Sequence, residues 1–184
     1  MNVPRLETSR LMLRPPRRAD FAAVAALWGD AEVTRFILPA PLSQEEAWAR
    51  FLRAFGHWTL LGYGFWSVEE KATGRLIGET GFLDAHRDMR PPLEGLPEVG
   101  WALARAAWGQ GYATEAARQV IAFGFEALDL NRIYAGYFVR NPASRRVQEK
   151  AGMRFEGIHR QNCLKSGVYE DTGLCAIIRT DWDC

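Results

Sequence analysis

Cysteine and histidine are scarce in this 184-residue chain, at three each, and neither builds a framework. Cys163, Cys175 and Cys184 are odd in number, gather late and form no Cys-x-x-Cys pair, and no zinc-type spacing joins them to His57, His86 or His159. Neither a disulfide scaffold nor a metal site is indicated. Excess charge is missing too: the formal net charge is +1, which argues against a surface that neutralises a nucleic-acid backbone or coats an anionic membrane. No run is long and apolar enough to span a bilayer, and the first ten residues hold no apolar signal-peptide core. The expectation is a soluble cytoplasmic protein, with no nucleic-acid or membrane partner. A hydrophobic content of 48% suits one domain over residues 1–184 with a substantial core.

What the chain does have is clear punctuation. Residues 6–14 alternate Leu11 and Leu13 against Met12 and Arg14 until Pro15-Pro16 stops them, which predicts an opening strand. Asp20 ahead of Phe21, Ala23, Val24 and Leu27 predicts a capped helix closed by Gly29-Asp30. Ser43 followed by Glu46 is a capping-box signature, and Ala47, Phe51, Ala54 and Phe55 give that helix a buried stripe. Residues 63–69 and 75–85, joined by Lys71-Ala72-Thr73-Gly74, predict an antiparallel hairpin. Residues 86–97, with three prolines, predict a loop. Farther on come a strand at 132–139, a helix opened by Asn141-Pro142 and ended by Gly152, and closing strands at 155–159 and 169–178. The order predicts the α/β (α+β) class: a mixed, mostly antiparallel sheet of about seven strands flanked by about four helices, with one crossover. Trp28, Trp48, Trp58, Trp66 and Trp182 sit inside or beside periodic segments, where aromatic side chains more often fill a core than floor a pocket.

The stretch from Glu98 to Ala116 organises the rest. It reads as a strand, a glycine turn and the opening of a helix. Gly109 and Gly111 remove two side chains from a short connection, so successive backbone N–H groups can turn toward a ligand. The helix that follows carries Ala113, Ala116, Ala117, Val120, Ile121 and Leu128 at three- and four-residue spacing. It therefore packs on the sheet with its positive end at the turn, a site for an anion such as a diphosphate. Glu115 in its first turn would repel that anion if it faced inward, and is expected to point away.

The segments Trp108-Gly109-Gln110-Gly111-Tyr112-Ala113-Thr114-Glu115-Ala116, Asn141-Pro142-Ala143-Ser144 and Lys150-Ala151-Gly152-Met153-Arg154-Phe155-Glu156-Gly157 together resemble the GNAT superfamily of N-acetyltransferases. Arg10-Leu11-Met12-Leu13-Arg14-Pro15 and Glu98-Val99-Gly100-Trp101 resemble its branch of ribosomal-protein N-terminal acetyltransferases. The resemblance implies a single GNAT-like domain that moves an acetyl group from acetyl-CoA to a primary amine, on a protein N-terminus or a small molecule; the oligomeric state stays open, with a homodimer one of the options. The family's Gln/Arg-x-x-Gly-x-Gly/Ala signature falls on Trp108, Gly111 and Ala113; tryptophan departs from it, yet the family's turn grips pyrophosphate mainly through backbone N–H groups. The implied cofactor-binding set is Trp101, Ala102, Leu103 and Ala104 on the strand, with Leu103 foremost. It continues through Trp108, Gly109, Gln110, Gly111, Tyr112, Ala113 and Thr114 at the turn, then Asn141, Ser144 and Arg146 on the later helix.

The family's tyrosine acid is Gln148 in this chain, and the resemblance leaves Ser144 as the substitute that would hydrogen-bond the sulfur. A thiolate is already a fair leaving group, since thiols have a pKa of about 8.5. Glu98, at the head of the strand, is the candidate base for direct attack, accepting the amine proton itself or through a water, with a backbone N–H near Leu103 as oxyanion donor. Glu98 also reads as a plain strand-end carboxylate, Asn141 as only a helix cap, and Arg145, Arg146 and Lys150 as a solvated face. Two rival functions stay on the table. Gly109-x-Gly111 after a strand suggests a dinucleotide-binding turn with Asp129 as ribose acid, although Thr114 stands at the third glycine position. A non-catalytic acyl-CoA-binding sensor would also explain the departures at Trp108 and Gln148.

Overall fold

Thr8 breaks the first extended run in two. Its hydroxyl oxygen accepts from Leu11 N–H at 2.9 Å and its own N–H bonds Leu11 O at 3.0 Å, which turns the chain back on itself. The single opening strand expected over 6–14 is therefore a small hairpin, β1 (Leu6–Glu7) and β2 (Leu11–Arg14), with Leu6 opposite Leu13. The computed structural model describes residues 3–84, 97–165 and 167–182.

After a 3-10 turn come α1 (Phe21–Gly29), α2 (Ala31–Thr34) and α3 (Gln44–Leu61). The capping box of α3 forms as expected: Ser43 Oγ accepts from Glu46 N–H at 3.2 Å and the Glu46 carboxylate accepts from Ser43 N–H at 2.8 Å. The cap expected at Asp20 does not form. Asp20 adopts helical backbone angles and makes no cap bond, because its carboxylate is taken by Arg14, bound at 2.8 Å through both Nη1 and Nη2. Asp30 caps α2 instead, accepting from Glu32 N–H at 2.9 Å, so a short extra helix follows where Gly29-Asp30 was expected only to end one.

β3 (Phe65–Glu70) and β4 (Arg75–Leu83) form the expected antiparallel hairpin. The loop expected at 86–97 lies outside the described residues except for Pro97. β5 (Glu98–Leu103), α4 (Tyr112–Glu126), β6 (Arg132–Phe138) and α5 (Pro142–Lys150) follow as read from sequence. The closing strands are longer than expected: β7 is Arg154–Lys165 and β8 is Val168–Ile178, ahead of a last turn α6 (Arg179–Trp182). Register shifts at Phe155/Gly157 and His159/Cys163 break the alternation along β7, so a period-two reading stops short.

The eight strands of the described residues form one sheet in the order β1-β2-β3-β4-β5-β6-β8-β7. Pairing is antiparallel except between β5 and β6, where among the described residues the only partners are Glu98 and Tyr134. One parallel pair is not the doubly wound parallel sheet that a dinucleotide turn belongs to. Beyond Glu98 the two strands diverge. Side chains of β5 alternate between two layers: Val99 and Leu103 join a core with Val120, Ile121 and Phe125 of α4, while Ala102 joins Val24, Trp28 and Phe51 of α1 and α3. No described helix is long and apolar enough to cross a membrane.

Candidate active site

The parting of β5 and β6 opens a cleft with a volume of about 1300 Å³ that runs from the glycine turn to α1, α2 and α3. Its strand wall offers backbone groups. Ala104 N–H bonds Ile77 O at 2.8 Å and Thr80 Oγ1 donates to Gly100 O at 3.0 Å, so even-numbered residues of this stretch spend their backbone on β4. The backbone of Trp101 and the N–H of Leu103 accordingly turn to the cleft. Of the expected strand set, Trp101 and Leu103 face the cleft by backbone, whereas Ala104 has used its N–H and Ala102 packs its side chain in the core.

The turn is stretched into shape by its glycines. Gly109 (φ 74°) and Gly111 (φ 82°) are both left-handed, and a Cβ on Gly109 would meet nothing within 4 Å. Gly111 caps α4 with no side-chain cap bond, and the first intrahelical bond runs from Glu115 N–H to Gly111 O at 3.1 Å. The N–H groups of Tyr112, Ala113 and Thr114 thus have no acceptor within the helix, and they stand at its positive end. These residues fit a bridged diphosphate.

Around the turn the side chains brace rather than bind. Trp108 donates from Nε1 to Leu103 O at 2.7 Å, Gln110 Nε2 donates to Ala106 O at 2.8 Å, and Tyr112 donates its hydroxyl to Glu70 Oε1 at 2.5 Å. Trp108 replaces a polar residue of the family pattern with an indole that ties the strand end to the turn. Glu115 does point away: it accepts from Thr8 Oγ1 (2.6 Å), Arg10 N–H (2.9 Å) and Arg10 Nε (2.7 Å) of the β1–β2 turn. Burial alone would raise its pKa, but these donors together hold it below the usual carboxylate range. Arg10 also donates to Gln110 O at 2.9 Å, so one arginine fixes both the acid and the turn.

At the apex of the cleft Glu98 is buried, only 7% exposed. Its neighbour across the parting is Gly136 of β6, where an added Cβ would stand 3.6 Å from Glu98 Oε1. Gln148, fully buried at the expected tyrosine position, reaches toward the same glycine, with Nε2 at 3.5 Å from Gly136 O and 3.3 Å from Ser144 Oγ. A carbonyl can only accept, so it is the amide nitrogen that faces both, and the Ser144 hydroxyl proton is left to point elsewhere. The structure therefore gathers Glu98, Gln148 and Ser144 around Gly136. Asn141 caps α5, accepting from Ser144 N–H at 3.2 Å. Arg145 is engaged by Glu149 at 2.8 Å, while Arg146 is exposed beside the cleft.

The other arm holds residues the sequence reading passed over. Trp28 is core, as expected, but it also lines the cleft and donates to Glu79 Oε2 at 2.6 Å. Arg50 lies over the Trp28 ring, 3.6 Å from its centroid. Burial raises the Glu79 pKa, pushes Arg50 down to about 10 and lowers His57. Two signals were there to read: a carboxylate set in the otherwise uncharged run Gly78–Thr80, and Arg50, Arg53, Ala54 and His57 at one-face spacing. At the tip of the β7–β8 hairpin, Lys165 Nζ donates to Arg35 O at 2.7 Å, tying that hairpin to the end of α2.

The family model described as an acetyltransferase (GNAT) domain matches residues 10–154. The uncharacterized N-acetyltransferase YoaA of Bacillus subtilis (strain 168) is 32% identical over 177 residues, covering 96% of this chain and 97% of its own. A GNAT-family acetyltransferase from Bacillus anthracis superposes with a TM-score of 0.82 at 25% identity, covering 95% of this chain and 98% of its own. The fold is shared with spermidine N-acetyltransferase from Vibrio cholerae, solved with CoA and spermine, at a TM-score of 0.77, 22% identity, and coverage of 96% and 100%. The chain belongs to the GNAT acetyltransferase family and is an acetyl-CoA-dependent N-acetyltransferase.

Proposed function

We propose that residues 1–184 act as one acetyltransferase domain in which Glu98 takes the proton of a primary amine and that amine attacks directly, with no acyl-enzyme. The observation that carries this reading is the parting of β5 and β6 immediately beyond Glu98, which sets a buried carboxylate at the apex of the cleft. Acetyl-CoA supplies the acyl thioester. The backbone N–H groups of residues 112–114 hold its diphosphate, and the cleft-facing backbone of Trp101 and Leu103 lines its arm. Leu103 N–H serves the oxygen that gains negative charge. Ser144 donates a hydrogen bond to the departing thiolate and keeps its proton, because Gln148 already donates into its oxygen. Arg146 and Asn141 lie on the coenzyme's path along α5.

An ammonium has no lone pair, so the base matters most at neutral pH, and less for an α-amine of pKa about 8 than for a lysine at about 10.4. The acceptor is a protein N-terminus or a small-molecule amine; the spermine held by the Vibrio cholerae fold relative supports the second. Free thiols at Cys163 and Cys175 suit the reducing cytoplasm, and the exposed apolar edge at Ile158, Leu164, Val168 and Tyr169 supports a homodimer.

The test is titration with acetyl-CoA and with NAD, followed by peptide and small-amine acceptors with free thiol as the readout. CoA binding and amine-dependent thiol release are expected; CoA binding without turnover on any acceptor would sink the catalytic assignment. A second expectation concerns the turn. Gly111→Val puts a β-branched residue at φ 82°, a conformation costing about 1–2 kcal/mol or more, and the cradle shifts to relieve it. CoA affinity by calorimetry should fall at least tenfold, about 1.4 kcal/mol, and an unchanged Kd would show that these N–H groups hold nothing.

A further inference from the structure

One stripe of α3 faces the acceptor arm: Arg50, Arg53 and His57. Arg50 is the innermost. Its guanidinium is fixed over the Trp28 ring, and that ring is fixed in turn by its bond to Glu79. Stacking sets the position of the cation without occupying its donors. Among the described residues its Nε is buried with no hydrogen-bond partner. Burial lowers Arg50 only to about 10, so it stays cationic at neutral pH. Glu79, the carboxylate whose charge acts on it, is pushed by its own burial toward the neutral acid. A largely buried cation with an unmet donor carries a free-energy cost that an arriving anionic acceptor removes.

We infer that the acceptor arm selects amines that also carry a carboxylate, which Arg50 binds, with Arg53 one turn along the same face, while the amine end lies at Glu98. This rests on the proposed role of the cleft in acetyl transfer. The register gives the reach. Glu79 is opposite Ala102, and Glu98 precedes Ala102 by four residues on the same strand face, which is about 14 Å at roughly 3.4 Å per residue. An α-amino acid, whose two groups share one carbon, is too short. A peptide with an acidic second or third residue, or a linear amino acid with its amine at the far end, has the length.

Two acceptor pairs that differ only in that charge decide the matter: Ser-Glu-Ala amide against Ser-Gln-Ala amide, and 6-aminohexanoate against hexylamine. Thiol release gives kcat/KM, and calorimetry on the CoA-loaded protein gives Kd without requiring turnover. The wild-type protein should favour the anionic member of at least one pair by about tenfold or more, the scale of one charge-assisted hydrogen bond. Which pair responds tells a peptide from a small acceptor. In Arg50→Gln that ratio should collapse toward one, through KM rather than kcat, while Arg50→Lys keeps part of it as a point charge without the planar fork. CoA affinity checks that each variant folds, and Arg53→Gln, which leaves the stack on Trp28 intact, should lower the ratio as well. Equal treatment of both members of both pairs, or a ratio that survives Arg50→Gln in a variant that binds CoA, overturns the inference. Thiol release from no amine at all overturns the catalytic reading instead, and the binding ratio still decides this one.

Discussion

Glu98→Gln is expected to slow acetyl transfer at neutral pH by about 10²- to 10⁴-fold, the usual share of a positioned general base. The replacement keeps the size and the hydrogen-bonding reach of the side chain and removes only its ability to take a proton. CoA affinity should stay the same, because the turn at residues 109–114 and the strand backbone are untouched. The deficit should also depend on pH. As the pH rises toward the amine's own pKa, about 8 for an α-amine and about 10.4 for a lysine-type amine, water supplies the neutral nucleophile and the variant gains on the wild type. Initial rates across pH with each acceptor type measure this. A variant as fast as the wild type at pH 7 would mean that the proton leaves by another route.

Asp20→Asn should cost about 3 kcal/mol, the lower end of what breaking a buried ion pair costs when one charge is left behind. The side chains of Arg14 and Asp20 are only 6% and 8% exposed, and they meet at 2.8 Å. The cost falls at the lower end because Arg14 keeps a second partner, Glu69, at 2.6 Å. Asp20 also accepts from Arg17 N–H at 2.7 Å and Ser67 Oγ at 3.3 Å, so one carboxylate joins β2, the entry to α1, and β3. Burial by itself would raise its pKa, but Arg14, Arg17 and Ser67 outweigh it and hold it below the ordinary value. A depressed folded pKa gives the sign: the stabilisation is complete above the unfolded value of about 3.9 and is lost as the pH falls through the folded one. Thermal melts should show a drop of about 6–12 °C at pH 7 that narrows below about pH 4. A constant gap down to pH 2 would assign the loss to packing instead of charge.

How much was legible depends on whether a feature is local. Ser43-x-x-Glu46, Asn141-Pro142 and Gly109-x-Gly111 each act within one turn of chain, and each behaves in three dimensions as its residue types dictate. The strand–turn–helix unit from Glu98 to Ala116 was legible for the same reason. Asp20 misled because a short acid before a helix is a cap unless a distant group claims it, and Arg14 becomes adjacent only once β2 is in the sheet. That β5 meets β6 only at Glu98 and Tyr134 among the described residues cannot be read from either strand alone. Arg50, Trp28 and Glu79 come from α3, α1 and β4, and their meeting is a matter of packing. The braces at Glu115 and Tyr112 join the glycine turn to β1–β2 and β3 across long stretches of sequence. Sequence periodicity carries no trace of such contacts.

The sheet is also two sheets held by a single rung. Among the described residues, strands β1 to β5 and strands β6 to β8 share one bridged backbone pair, so past that point no further strand pairing joins the two halves of the sheet. In the proposed binding mode a thioester carrier lying against Trp101 and Leu103 would take the place of an interior strand and supply rungs at that border. On that reading the donor is a structural member as well as a reagent, spanning a border that the described backbone crosses only once.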